Sequence, residues 1–149
     1  MHRVEITGFT FAAAHRIEGH PKCGRLHGHN YEVGIVVERL KDGLDSNGMI
    51  ADFGDIKREV KSYIDERLDH RFIVSNSNIE AKCIYYTAAM LRLDTMDDVC
   101  VLPGLEHSTA EELAAYLHGV FNKRFESMLL HVVSVSVKET STSSAIYRD

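Results

Sequence analysis

His15, Cys23, His27 and His29 are the residues of this sequence whose types and spacing best suit metal-assisted chemistry. His27 and His29 form a His-x-His pair at the head of an alternating apolar run, Tyr31, Val33, Ile35 and Val37. Residues two apart in a strand point to the same face. Strand geometry that already holds at His27 therefore sets the two imidazoles about 6–7 Å apart along the backbone, aimed at one spot. His15 stands where an earlier apolar stretch ends, and antiparallel pairing brings the end of one strand beside the start of the next. Three facial histidines with an open fourth position are the donor set of a catalytic zinc. The plainer alternative is three unrelated polar histidines among the nine in the chain.

Beside the histidines, Cys23 and three other residues could share in such chemistry. Cys23 lies in a glycine-containing polar loop, where a nearby dication favours the thiolate and makes it a nucleophile or base; the alternative is a buried, inert thiol. Asp69 precedes His70, and a carboxylate beside an imidazole holds the ring and tunes its basicity. A histidine favoured by a helix C-terminus is the competing explanation. Glu139 follows an apolar strand and can accept two parallel N–H bonds from a planar guanidine-like edge, or can be a solvated strand-end charge. Cys83 and Cys100 lack polar neighbours of this kind and read as structural thiols.

The elements that must position these residues are legible in outline. Val4, Ile6 and Phe9 to Phe11 form a strand with rough alternation, running through Ala12-Ala13-Ala14 to His15. Gly19, Pro21 and Gly24 make 16–26 a loop. A second strand runs from about His29 to Glu38 or Arg39. Asp52 or Asp55 caps a helix whose stripe is Ile56, Val60, Ile64 and Leu68, with Tyr63 beside it. Ile79, Cys83, Tyr86 and Met90 give only weak helical periodicity. Ser108-Thr-Ala-Glu111 is a capping-box pattern for a second helix through Leu113, Leu117, Val120 and Phe121, with Glu111 as a capping residue. Leu130, Val132, Val135 and Val137 read as a strand with one slip in register. Ser141 to Ser144 turn the chain into a last short strand, Ala145 to Arg148. The order is hairpin, helices, hairpin: an α+β domain spanning 1–149.

Composition excludes several classes. The net charge of -5 gives no electrostatic reason for nucleic-acid binding. No apolar run is long enough to span a bilayer, and the first residues, MHRVEITGF, lack the apolar core of a signal peptide. Three cysteines, an odd number without framework spacing, suggest reduced thiols in a cytoplasmic protein.

The chain resembles the 6-pyruvoyltetrahydropterin synthase and 6-carboxytetrahydropterin synthase family. The resemblance rests on Phe9-Thr-Phe-Ala-Ala-Ala-His15, Cys23-Gly-Arg-Leu-His27-Gly-His29-Asn-Tyr31, Asp52-Phe53, Leu68-Asp69-His70, Ser108-Thr-Ala-Glu111 and Lys138-Glu139-Thr140. These pieces follow one another in the family's order along nearly the whole chain. The departure is Ser75 to Val101, which looks longer than the usual connection and carries no family motif. The resemblance implies the tunnelling fold: two antiparallel β-hairpins forming a four-stranded sheet, with two main helices on one face and the barrel closed by oligomerisation. It implies homotrimers or homohexamers with sites between subunits. It also implies zinc on His15, His27 and His29, Cys23 as the proton-abstracting base, Asp69 and His70 as a relay, and Glu139 as the pterin anchor.

The substrate that the resemblance implies is dihydroneopterin triphosphate. The short Cys-x-x-x-His-Gly-His spacing is similar to the 6-carboxytetrahydropterin branch, which serves deazaguanine (queuosine-type) nucleoside synthesis and releases acetaldehyde and triphosphate. The pyruvoyl branch, with a longer gap, eliminates triphosphate without carbon–carbon cleavage and ranks second. A folate-linked variant that places glutamate in this loop ranks third, since Gly24 stands here beside an intact Cys23. A catalytically silent zinc- and pterin-binding protein is the reading from a different class.

Overall fold

The computed structural model describes residues 1–41, 43–75, 89 and 98–149. Among the described residues six strands form one sheet in the order β4-β3-β1-β2-β5-β6. They are β1 (Arg3–His15), β2 (His27–Arg39), β3 (Arg71–Val74), β4 (Val99–Val101), β5 (Leu130–Thr140) and β6 (Ser143–Arg148). Helix α1 (Phe53–Arg67) precedes β3, and helix α2 (Ala110–Phe125) precedes β5. The two expected hairpins are present as antiparallel β1–β2 and β5–β6, and antiparallel β2–β5 pairing joins them.

Two strands go beyond the four that alternation predicts. β3 runs parallel to β1 through Ala13↔Arg71 and Ala14↔Phe72, and β4 runs parallel to β3. They are too short for a period of two to register, and buried parallel strands do not alternate. The weak periodicity through Ile79, Cys83, Tyr86 and Met90 lies outside the described residues.

A bulge in β1 decides which of its residues face the core. Ile6 pairs with Ile35, and the next pair is Phe9 with Val33, so β1 carries one residue more than β2 at this point. Gly8 takes φ +86 there, a conformation that costs a side-chain-bearing residue dearly. The extra residue flips the parity of the strand. Ile6 is buried before the bulge; Phe9, Phe11, Ala13 and His15 are buried after it. The slip expected in β5 is a second bulge, at Val133: Val36 pairs with Ser134 and Val37 with Val132. A third falls at Glu139, since Lys138 pairs with Ser144 and Thr140 with Ser143.

The helices cover the face of the sheet that these residues share. Asp52 caps α1, its Oδ1 accepting from Gly54 N at 2.6 Å. The predicted stripe of Ile56, Val60, Tyr63, Ile64 and Leu68 is buried. The cap of α2 differs from expectation by one residue. Thr109, not Ser108, is the N-cap, its Oγ1 accepting from Glu112 N at 3.3 Å. Glu111 is exposed, and Glu112 turns back to accept from Glu106 N and His107 N at 2.7 and 2.9 Å. Leu113, Leu117 and Phe121 of α2 join Tyr31, Val33, Ile35, Val132 and Val135 in one apolar cluster. Each such fully buried side chain contributes about 1.5–3 kcal/mol. Among the described residues no helix is long and apolar enough to cross a membrane.

Candidate metal centre and active site

Strand pairing assembles the three histidines. The last rung of β1–β2 is His15↔His27, and Ala13↔His29 is two rungs away. Strand geometry thus begins at His27, and the β1 bulge has already turned His15 to the same face. The ring centroids of His15, His27 and His29 lie 4.6, 5.1 and 5.0 Å apart. One nitrogen from each comes within 4.8 Å of the other two, so the three could hold a metal ion.

The surroundings fix which nitrogens are available. His15, 1% exposed, has its Nδ1 2.6 Å from the carbonyl of Ser108. A carbonyl only accepts, so the proton sits on Nδ1 and Nε2 keeps its lone pair. His27 Nδ1 donates to the carbonyl of Arg25 at 2.7 Å in the same way. Such outer contacts set tautomer and ring orientation at metal sites. The Nε2 atoms of His15 and His29 are buried without a hydrogen-bond partner. Orphaned buried polar atoms are costly, and a cation would resolve the cost for both at once. Burial is the main force on His15 and holds its pKa below the usual histidine value, outweighing the Ser108 bond and the Glu139 charge that push the other way. The ring is therefore neutral at neutral pH, as a ligand must be.

Ser108 was expected to cap α2, and the one-residue shift of the cap releases it for this site. Its carbonyl holds His15, and its Oγ donates to Arg16 O at 2.8 Å. Thr109-Ala-Glu-Glu112 is also a capping-box pattern, one register along, so the sequence carried the signal in duplicate.

Cys23 sits half-buried in a folded loop. Ile17 N donates to Cys23 O at 2.7 Å, and Gly24 N to His20 O at 2.9 Å. His20 Nδ1 accepts from Cys23 N at 2.9 Å and from Lys22 N at 3.3 Å. A Cβ on Gly24 would stand 2.5 Å from His20 O, so this turn needs glycine. Cys100 is buried, and burial pushes its thiol pKa up, in keeping with a structural role. Cys83 lies outside the described residues.

Asp69 and His70 lock onto β1. Asp69 Oδ1 accepts from Ala12 N at 2.9 Å, and its Oδ2 lies 3.0 Å from His70 Nδ1. His70 N donates to Ala12 O at 2.7 Å, and the residue takes φ +57. Desolvation pushes the Asp69 pKa up, but the Ala12 N–H and the His70 ring together hold it below the usual value. A depressed carboxylate contributes stability at neutral pH that is lost as pH falls through its folded-state value. The His70 side chain is 83% exposed. It lines an open groove of about 520 Å³ with Ala12, Ala14, Gly28 and Asn30. Ala13 and His29 line the same groove, so it borders one member of the histidine triad.

Glu139 does reach the triad. The bulge aims its carboxylate across β2, and Oε1 lies 3.4 Å from His15 Nε2 and 3.7 Å from His29 Nε2. Tyr31, 1% exposed, directs its hydroxyl at the same oxygen from 3.4 Å. Burial, then the Glu139 charge, raise the Tyr31 pKa, so the hydroxyl stays a donor. Sequence spacing gives no sign that Tyr31 and Glu139 meet.

The arrangement has counterparts among known proteins. The family model for 6-pyruvoyl tetrahydropterin synthase matches residues 4–149. A 6-carboxy-5,6,7,8-tetrahydropterin synthase of Rickettsia bellii is 35% identical over 132 residues, 87% of this chain and 88% of the relative. Its namesake from Haemophilus influenzae is 32% identical over 144 residues, 95% of each chain. An uncharacterized protein of Wolinella succinogenes superposes with a TM-score of 0.80 at 23% identity, covering 100% of this chain and 99% of its own. The 6-pyruvoyl tetrahydropterin synthase of Plasmodium vivax does so with 0.68 at 20% identity and the same coverage. The α+β architecture is the tunnelling fold that these structures share. With one family model running from Val4 to the last residue, and relatives above 30% identity along nearly all of it, the chain belongs to the 6-pyruvoyl tetrahydropterin synthase family.

Proposed function

We propose that this protein is a zinc-dependent lyase of one domain that converts 7,8-dihydroneopterin triphosphate to 6-carboxy-5,6,7,8-tetrahydropterin, releasing acetaldehyde and triphosphate. The observation that carries the reading is the convergence of His15, His27 and His29, two of them with orphaned Nε2 atoms, at the end of the loop that holds Cys23. The three imidazoles suit zinc, which when bound supplies Lewis-acid polarisation of the substrate's side-chain oxygens. Cys23, as thiolate, takes a proton from the adjacent carbon. Asp69 fixes the His70 ring, and His70 moves protons at the opposite face of the substrate. Glu139 accepts from the 2-amino and ring N–H edge of the pterin through two parallel bonds. Lys22, Arg25 and Arg16 attract the triphosphate. The product serves a deazaguanine-type nucleoside pathway in the cytoplasm.

Relatives named for the carboxy product support this branch. The pyruvoyl branch stays the second reading, because the family model and the Plasmodium structure carry that name. Product analysis separates them. Purified protein given dihydroneopterin triphosphate alone is expected to yield acetaldehyde, read by a coupled alcohol dehydrogenase as oxidation of reduced nicotinamide. Triphosphate with a three-carbon pyruvoyl product and no acetaldehyde would establish the second reading. No turnover of any kind, with pterin still bound, would indicate a silent binding protein.

We further infer a homotrimer or homohexamer with active sites between subunits. The His70 side chain is 83% exposed, which leaves it accessible to the triad of a neighbouring chain. Among the described residues β4 and β6 are the two edges of the sheet, and closure between subunits removes such edges. Light scattering is expected to give a mass of three chains or a multiple; an active monomer would overturn both assembly and shared site.

A further inference from the structure

Glu139 stands beside two unpartnered ring nitrogens. His15 donates through Nδ1 to Ser108, and the Glu139 oxygen faces its Nε2 from 3.4 Å. The same oxygen is 3.7 Å from His29 Nε2, and neither nitrogen has a hydrogen-bond partner. A cation shared by the carboxylate and the two unpartnered nitrogens would satisfy all three. Donor atoms around a tetrahedral zinc, at bond lengths of about 2.0–2.2 Å, stand about 3.4 Å apart. The two Glu139 separations are close to that edge length, while the three histidine nitrogens lie within 4.8 Å of one another. The carboxylate is held from two sides: the bulge re-aims the Glu139 backbone, and Tyr31 presents a buried hydroxyl to the same oxygen.

We propose that Glu139 is the fourth ligand of the resting metal centre, and that the guanidine-like edge of the pterin ring draws it off. The proposal rests on the reading above, in which the three histidines hold a divalent cation and Glu139 takes the ring edge. One carboxylate cannot do both, since the ring edge needs both of its oxygens. Recognition of the ring and opening of the metal are then a single event. A molecule that has the phosphates and hydroxyls but lacks the ring edge leaves the metal closed.

Cobalt substitution tests this without recourse to activity, since Co2+ in a four-coordinate site absorbs visible light according to its ligands. Wild type, Glu139→Gln and His27→Ala are each loaded with Co2+, with circular dichroism confirming the fold. Glu139→Gln is expected to bind Co2+ about tenfold or more weakly in chelator competition, at least the loss that an outer-contact residue produces, and to show an altered spectrum. Unsubstituted pterin is expected to change the wild-type spectrum and to leave that of Glu139→Gln as it was. If Glu139→Gln keeps wild-type affinity and spectrum while His27→Ala loses Co2+, the histidine site stands and the fourth ligand falls. If His27→Ala also keeps Co2+, the metal reading itself fails and this proposal goes with it.

Discussion

His27→Ala is expected to leave a folded protein with little metal and almost no turnover. Two imidazoles are a poor cage for zinc, and His27, the proposed ligand, stands at the first residue of β2 outside the apolar core, so its loss removes no core packing. Lewis-acid assistance is worth several kcal/mol, and each 1.36 kcal/mol is tenfold in rate. The loss in kcat is therefore on the order of 1,000-fold. Elemental analysis of the purified variant is the primary measurement: one zinc per chain in wild type, close to none in the variant. Full zinc in both His27→Ala and His29→Ala would remove the site.

Cys23→Ala is expected to do the opposite to the metal and nearly the same to the rate. The thiol belongs to the 16–26 loop and not to the triad, so zinc content should stay at one per chain and pterin affinity should hold. A lost general base costs roughly 100- to 10,000-fold, and the loss should fall on kcat with KM little changed. The loop's backbone bonds run through Ile17, His20 and Gly24, so Ala at position 23 keeps its shape. Near-normal turnover would take Cys23 out of the mechanism. Cys100→Ala is the control, and should leave the chemistry intact.

What the sequence allowed, and what it hid, follows from how far apart the causes lie. His27 and His29 were legible because a period of two is a local property, and the four alternating residues from Tyr31 to Val37 sufficed to show it. His15 was legible only through the hairpin: its spacing from His27 means nothing until the strands pair. The reason it faces inward, the extra residue at Gly8, blurred the alternation of β1. The cap of α2 was found but set one residue early, because Ser108 and Thr109 each have a glutamate three positions on, and only the fold decides between them. β3 and β4 went unseen because three or four residues hold no period. The face on which His70 lies depends on parallel pairing between β1 and β3, and the approach of Tyr31 to Glu139 depends on pairing between β2 and β5. Neither is written in any local pattern.

All three imidazoles sit on a single hairpin, two at its final rung. With an ion bound, His15 and His27 become the jaws of a reversible cross-link closing the 16–26 loop, much as a disulfide closes a loop by limiting the freedom of the unfolded chain. A cell interior that reduces disulfides leaves such a staple intact. Filling the site therefore does more than equip a reaction. Binding energy at the histidines is also energy holding β1 and β2 in register, so the same ion that acts on substrate would guard the loop carrying Cys23 against fraying.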